Sequence, residues 1–134
     1  MMKNYYLLAV ACLSFTFAQA QNNLKQSIEN GKEIYNDFCI TCHMAKGEGV
    51  KDTYPPLAKS DYLMNNRKAG IRAIKFGISG EIIVNGKTYN NTMATIGLSD
   101  DEIADVMNYI TNTWGNKNDK IFTKTEVENT QNVN

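Results

Sequence analysis

The sequence predicts a mainly α-helical domain carrying one small β-hairpin, and three observations carry that expectation. Apolar residues recur at helical spacing near both ends of the chain, an Asn-Gly pair sits between two short β-prone runs, and a capping signature opens the last apolar stripe. Leu24, Ile28, Gly31, Ile34, Tyr35 and Phe38 are spaced by three and four, which predicts an amphipathic first helix with Asn23 as a possible cap. Gly47-Glu48-Gly49 and Tyr54-Pro55-Pro56-Leu57 predict an irregular loop, because paired prolines cannot sustain a helix interior. Ser60-Asp61 opens a short helical turn through Met64. A further helix over 66–76 turns Ile71 and Ile74 inward and stops at Gly77. Glu81-Ile82-Ile83-Val84, Asn85-Gly86 and Lys87-Thr88-Tyr89 read as a hairpin, since Asn-Gly readily takes the positive φ angles of a two-residue turn. Ser99 with Glu102 forms a capping box, Asp100 and Asp101 suit the positive end of the helix, and Ile103, Val106, Met107, Ile110 and Trp114 supply its buried stripe up to Gly115. Residues 116–134 are polar and without periodicity, and predict a loosely held tail.

The most informative motif lies at the end of the first helix. Cys39-Ile40-Thr41-Cys42-His43 has the spacing that lets two thiols add to the vinyl groups of one haem while the next residue ligates its iron. Two alternatives use the same residues: half of a zinc site, or a thiol redox pair. Zinc would need further ligands, and His43 is the sole histidine while the third cysteine is Cys12. A redox pair would call for a βαβ context that the pattern does not suggest.

The N-terminus points to export. Lys3 precedes an apolar run from Tyr5 to Ala18, and Ala18-Gln19-Ala20 offers small residues at a cleavage site, so residues 1–20 read as a signal peptide cut after Ala20. The run is shorter than the ~20 residues of a membrane-spanning helix. Ala9-Val10-Ala11-Cys12 faintly resembles a lipoprotein box. The domain organisation expected is a signal peptide at 1–20, one domain at 21–115 and the polar tail at 116–134. Lysine and arginine number 14 against 14 aspartate and glutamate, so overall charge suggests neither a nucleic-acid partner nor an acidic membrane surface. Lys68, Arg72 and Lys75 share one ridge of the 66–76 helix, with Lys59 and Arg67 nearby, and would form a basic docking patch.

Taken together, the first helix with Gly31 and Tyr35, the Cys39–His43 motif, Pro55 before Leu57, Met93 after the hairpin and Tyr109 on the last helix resemble a small monohaem class I cytochrome c. Pro-Pro-Leu-Ala at 55–58, Val-Asn-Gly-Lys-Thr-Tyr at 84–89 and Leu-Ser-Asp-Asp-Glu-Ile-Ala at 98–104 resemble a bacterial variant with a hairpin before the methionine loop. That variant also occurs as the cytochrome domain or subunit of oxidases, nitrite reductases and periplasmic dehydrogenases.

The resemblance implies a cytochrome c fold in which the N- and C-terminal helices cross over one covalently bound haem c. It implies thioethers at Cys39 and Cys42, iron ligation by His43 and Met93, and a Pro55 carbonyl that accepts a hydrogen bond from the histidine ring. Met44 adjoins the histidine, Met107 lies on the last helix's apolar stripe and Met64 near the second helical segment, which leaves Met93 as the distal candidate. One departure is Ala94, where the family usually has proline. The function implied is a periplasmic one-electron carrier between redox partners such as an oxidase, reductase or dehydrogenase, with no small-molecule substrate and no enzymatic activity. A haem with a labile sixth ligand, acting as a peroxidase-like enzyme or gas binder, is the competing expectation.

Overall fold

The structure is a computed structural model that describes residues 23–132. The expected signal peptide lies outside the described residues. Helix α1 is already formed at residue 23 and runs to 38, so Asn23 belongs to the helix rather than capping it. It passes into a single turn, α2 (Ile40–His43). After the loop come α3 (Asp61–Asn65) and α4 (Arg67–Phe76), then the antiparallel hairpin of β1 (Glu81–Val84) and β2 (Lys87–Asn90). Helices α5 (Asp100–Ile110) and α6 (Lys124–Glu128) complete the order. No helix among the described residues is long and apolar enough to cross a membrane.

The local signals explain most boundaries. Ser60 caps α3 by accepting from the Leu63 amide, and Gly77 ends α4 with a φ of 79°. Asn85 and Gly86 take φ values of 51° and 74° in the hairpin turn. The Ser99–Glu102 capping box is complete, and its hydrogen bonds to Ser99 hold the Glu102 carboxyl below its ordinary range. Helix α5 stops at Ile110, short of the expected end. Trp114 stands in a turn with a φ of 54°, and packs its ring at 5.0 Å from Tyr35 and 5.3 Å from Tyr109.

The core forms where α1 crosses α5. A Cβ on Gly31 would collide with the Asp105 carbonyl and lie 2.9 Å from the Tyr109 Cβ, so the backbones touch where only hydrogen fits. Beside this contact, Asp105 accepts from Ser27 and from Asn30, and Asn108 donates to Ser27 at 2.9 Å. Tyr35, Ile71, Ile103, Val106 and Met107 are fully buried around it. Phe38, expected on the buried stripe, is instead 52% exposed. It lies at the very end of α1, beyond the reach of α5, and lines the mouth of a cavity beside Cys39 and Cys42.

The largest departure is at the C-terminus. The segment expected to be loosely held returns across α4 and α5, burying Phe122 and Val127. Arg67 organises the contact. Its guanidinium donates to both Glu126 carboxylate oxygens at 2.6 Å and to the carbonyls of Lys120 and Ile121, and lies 3.4 Å over the Phe122 ring. Asn108, fully buried, donates to the Phe122 carbonyl and accepts from its amide. Asn116 ties the segment's start to the loop, donating to Leu57 and Ile110 carbonyls and accepting from the Lys59 amide. Thr123 caps α6, so Thr-x-x-Glu was a legible start signal inside a polar run.

The Arg67 hydrogen bonds hold the Glu126 carboxyl below its ordinary range. A depressed carboxylate stabilises the fold above its unfolded pKa and loses that contribution as pH falls through the folded value. Glu126→Gln is therefore expected to lower stability at neutral pH by about 1–2 kcal/mol, and the difference from the parent should shrink as pH falls below the ordinary carboxylate range and close once Glu126 is protonated in the folded protein. Urea unfolding at pH 7 and through a falling series of acid pH values checks this. A difference that persisted undiminished in acid would mean that charge is not what holds α6.

Candidate functional site

The cysteine motif is placed by the junction of α1 and α2. The Cys39 amide bonds the Tyr35 carbonyl at 2.9 Å and the His43 amide bonds the Cys39 carbonyl at 3.0 Å, so the turn holding both cysteines continues directly from the helix. Tyr35 braces it from behind, its hydroxyl donating to the Met44 carbonyl at 2.7 Å. Burial pushes the phenol well above its ordinary range. Cys39 and Cys42 are not joined in a disulfide, and burial pushes the Cys39 thiol up to about 11.

His43 meets the loop through its ring. Its Nδ1 lies 3.0 Å from the Pro55 carbonyl oxygen, which can only accept, so Nδ1 carries the proton and Nε2 keeps its lone pair. Burial holds the imidazole below its ordinary range, outweighing the hydrogen bond to Pro55, and so favours the neutral form that binds metals. The loop is itself fastened: the amides of Leu57 and Ala58 bond the Gly47 carbonyl at 2.7 and 2.9 Å. Gly47 packs against the Trp114 ring with a φ of 63°, a close approach that excludes a side chain.

Met93 reaches the same space from the other end of the chain. Its backbone pairs with Ile78 in both directions, at 2.9 and 2.8 Å, which anchors the residue after the hairpin to the residue before it. Two cavities of about 250 and 90 Å³ are both walled by Cys39, His43, Pro55, Ile78, Ile82 and Met93, and Cys42 lines the larger. A third, of about 460 Å³, shares Ile78 and Met93 with them. The smaller of the two motif cavities is apolar, lined by Leu57, Leu63, Ile74, Val106 and Ile110, as suits the mostly apolar walls of a cofactor site.

Two thiols, a neutral imidazole, a thioether and apolar walls fit a covalently held haem. They do not fit zinc: among the described residues no three histidine, cysteine, aspartate or glutamate side chains cluster for a metal. Met93 lines all three cavities, whereas Met44, Met64 and Met107 line none of them. Ile82 and Tyr89 also wall the site and were not singled out from the sequence, although the alternation of the hairpin places both on its inner face. The basic ridge is only partly free. Lys75 is paired with Asp100 at 2.8 Å and Arg67 with Glu126, while Lys68 and Arg72 have no ion pair or hydrogen bond among the described residues.

This helical fold around an apolar site bordered by the Cys39–His43 motif is that of a class I c-type cytochrome, and comparison with known proteins agrees. The chain belongs to the cytochrome c family, whose model matches residues 28–114. It is similar to cytochrome c-552 of Thermus thermophilus, 35% identical over 108 residues that cover 74% of this chain and 82% of that protein. It is also similar to the cytochrome c subunit of the quinone alcohol dehydrogenase of Gluconobacter oxydans, 33% identical over 91 residues, 64% of this chain but 18% of that subunit. A shorter stretch of 40 residues is 48% identical to the cytochrome c subunit of the cytochrome bc1 complex of Corynebacterium diphtheriae, covering 30% of this chain and 14% of that subunit. The cofactor is covalently attached haem c with its iron, and the protein is an electron carrier rather than an enzyme.

Proposed function

We propose that Cys39 and Cys42 would hold the haem through thioethers, that His43 and Met93 would ligate its iron, and that the protein carries single electrons between redox proteins in the periplasm. The observation that carries this reading is the shared wall. His43, from the end of α2, and Met93, from the loop after the hairpin, border the same apolar cavities as the cysteines. When bound, haem iron supplies a one-electron couple between the ferrous and ferric states.

The chain's own residues supply the rest. Cys39 and Cys42 would each hold the haem by a thioether, the product of adding S–H across a vinyl group, which would be redox-neutral and release nothing. Pro55 fixes the imidazole tautomer and ring orientation and raises its basicity. Met93 offers a soft thioether that favours the reduced metal and raises the potential. Leu57, Leu63, Ile74, Val106 and Ile110 keep water from the interior, so little reorganisation accompanies a change of charge. Export through residues 1–20 would deliver the chain to the compartment where partners such as a dehydrogenase, reductase or oxidase reside. The names of the relatives, subunits of a dehydrogenase and of a bc1 complex, support partners of that kind.

Mass spectrometry after acid-acetone extraction tests the attachment. The expected product is the chain beginning after Ala20 with one haem retained. Single replacements Cys39→Ala and Cys42→Ala should each leave one thioether at most, and the double replacement should release all haem. Recovery of unmodified chain from cells competent in haem attachment would sink the reading.

A further inference from the structure

The methionine loop is held on its two sides in different ways. At Met93 itself the chain is pinned by the paired backbone bonds to Ile78, and Gly77 is so close that a Cβ there would lie 2.8 Å from the Met93 carbonyl oxygen. After Met93 comes Ala94, with no proline to restrict the backbone. From residue 94 to residue 98, one hydrogen bond among the described residues ties the loop to the rest of the protein: the Thr95 hydroxyl donates to the Lys75 carbonyl at 3.2 Å. At the loop's far end, where α5 begins, Asp100 is ion-paired to the ammonium of that same Lys75 at 2.8 Å.

Lys75 is thus the point on which both the middle and the end of the loop converge. Its ammonium has a second acceptor, the Val127 carbonyl of α6 at 2.8 Å, and its side chain is only 19% exposed. A charged donor with two acceptors and little access to water is held far more firmly than a surface lysine.

We infer that Lys75 is a positioning residue for the axial methionine, latching the loop that carries Met93 through Thr95 and Asp100. The latch acts where the family's proline would otherwise stiffen the chain. This rests on the reading of Met93 as the iron's distal ligand. The loop's open form is the only one that admits an exogenous ligand to that side of the iron, so the apparent affinity of such a ligand reports the open fraction.

Imidazole titration of the oxidised holoprotein reads this directly. Removing a charge-assisted contact shifts the opening equilibrium on the order of tenfold. Lys75→Met is expected to bind imidazole about tenfold more tightly than the parent, and Thr95→Val, a milder change, to move in the same direction. Lys124→Met removes the exposed ion pair between α6 and Asp101 at the start of α5 without touching Lys75 and serves as the control; its imidazole affinity is expected to equal the parent's. Met93→Ala calibrates the fully open state. Parental affinity in Lys75→Met beside tight binding in Met93→Ala would overturn the latch and leave the ligand assignment standing. If Met93→Ala bound imidazole no more tightly than the parent, the ligand assignment would fall and the latch with it. An equal gain in Lys124→Met would also overturn the latch, because loss of any ion pair at the start of α5 would then account for the effect.

Discussion

Met93→Ala is expected to lower the reduction potential by on the order of 0.1–0.3 V, a substantial part of the ~0.8 V range that axial ligation sets. The cause is loss of the soft thioether that favours the ferrous metal, leaving that coordination position to water or an oxygen or nitrogen donor that favours the ferric one. The long-wavelength sulfur-to-iron absorption of the oxidised protein should vanish in the same variant. Potentiometric titration followed in the visible range measures both. The site makes the prediction specific, because Met44 has its carbonyl bonded to Tyr35 on the far side of the motif and Met107 is fully buried in the helical core. A Met93→Ala protein that kept the absorption would require another methionine ligand, and no other methionine among the described residues lines these cavities.

Gly31→Val should be more damaging to the fold than any surface change, costing on the order of 3 kcal/mol or more. The added carbons have nowhere to go, since the Asp105 carbonyl belongs to the backbone of α5 and cannot rotate away as a side chain could. To admit them the two helices must part, and parting them unpacks the rings of Tyr35, Tyr109 and Trp114 and breaks the contacts of Ser27 and Asn30 with Asp105. Denaturant midpoints of holoprotein, with Gly31→Ala as the smaller step, measure the effect. A parental midpoint in Gly31→Ala would show that the helix crossing tolerates separation.

These two residues differ in how the sequence announced them. Gly31 lies on a periodic apolar stripe, where a glycine is unfavourable unless something approaches closely, so its position carried information by itself. The hairpin turn at Asn85-Gly86 and the Ser99 cap were equally legible, because their causes lie within four residues. The fold class followed from such local signals, and the Cys39–His43 spacing announced the cofactor in the same way. Phe38 was misread because periodicity reports which side of a helix a residue occupies and cannot report that the partner helix has already ended. The C-terminal segment was misread for a different reason. Its hold depends on Arg67, Asn108 and Asn116 meeting polar backbone groups, and composition counts those asparagines as marks of disorder. Lys75 looked like one of three exposed cations, since nothing in the helix's own repeat reveals an acceptor 25 residues away in Asp100 or one in the backbone of α6.

Helix α4, read alone, is poorly started. Its N-cap Asn66 makes no side-chain capping bond, its first turn has no acidic residue, and it opens instead on Arg67 and Lys68, charges of the wrong sign for that end of the helix dipole. Glu126 brings the missing negative charge from 59 residues further along the chain, and it does so by binding Arg67 itself. Neither partner is autonomous: α6 is five residues long, too short to persist without a surface to dock on, and α4 starts badly without it. The two therefore open and close as a single cooperative unit. That unit joins the wall of the haem site to a stretch beyond residue 114, where the match to the cytochrome c family ends. The functional domain of this chain is accordingly longer than its recognisable one, and a fragment cut at the edge of the family match would forfeit the order of α4 along with the segment removed.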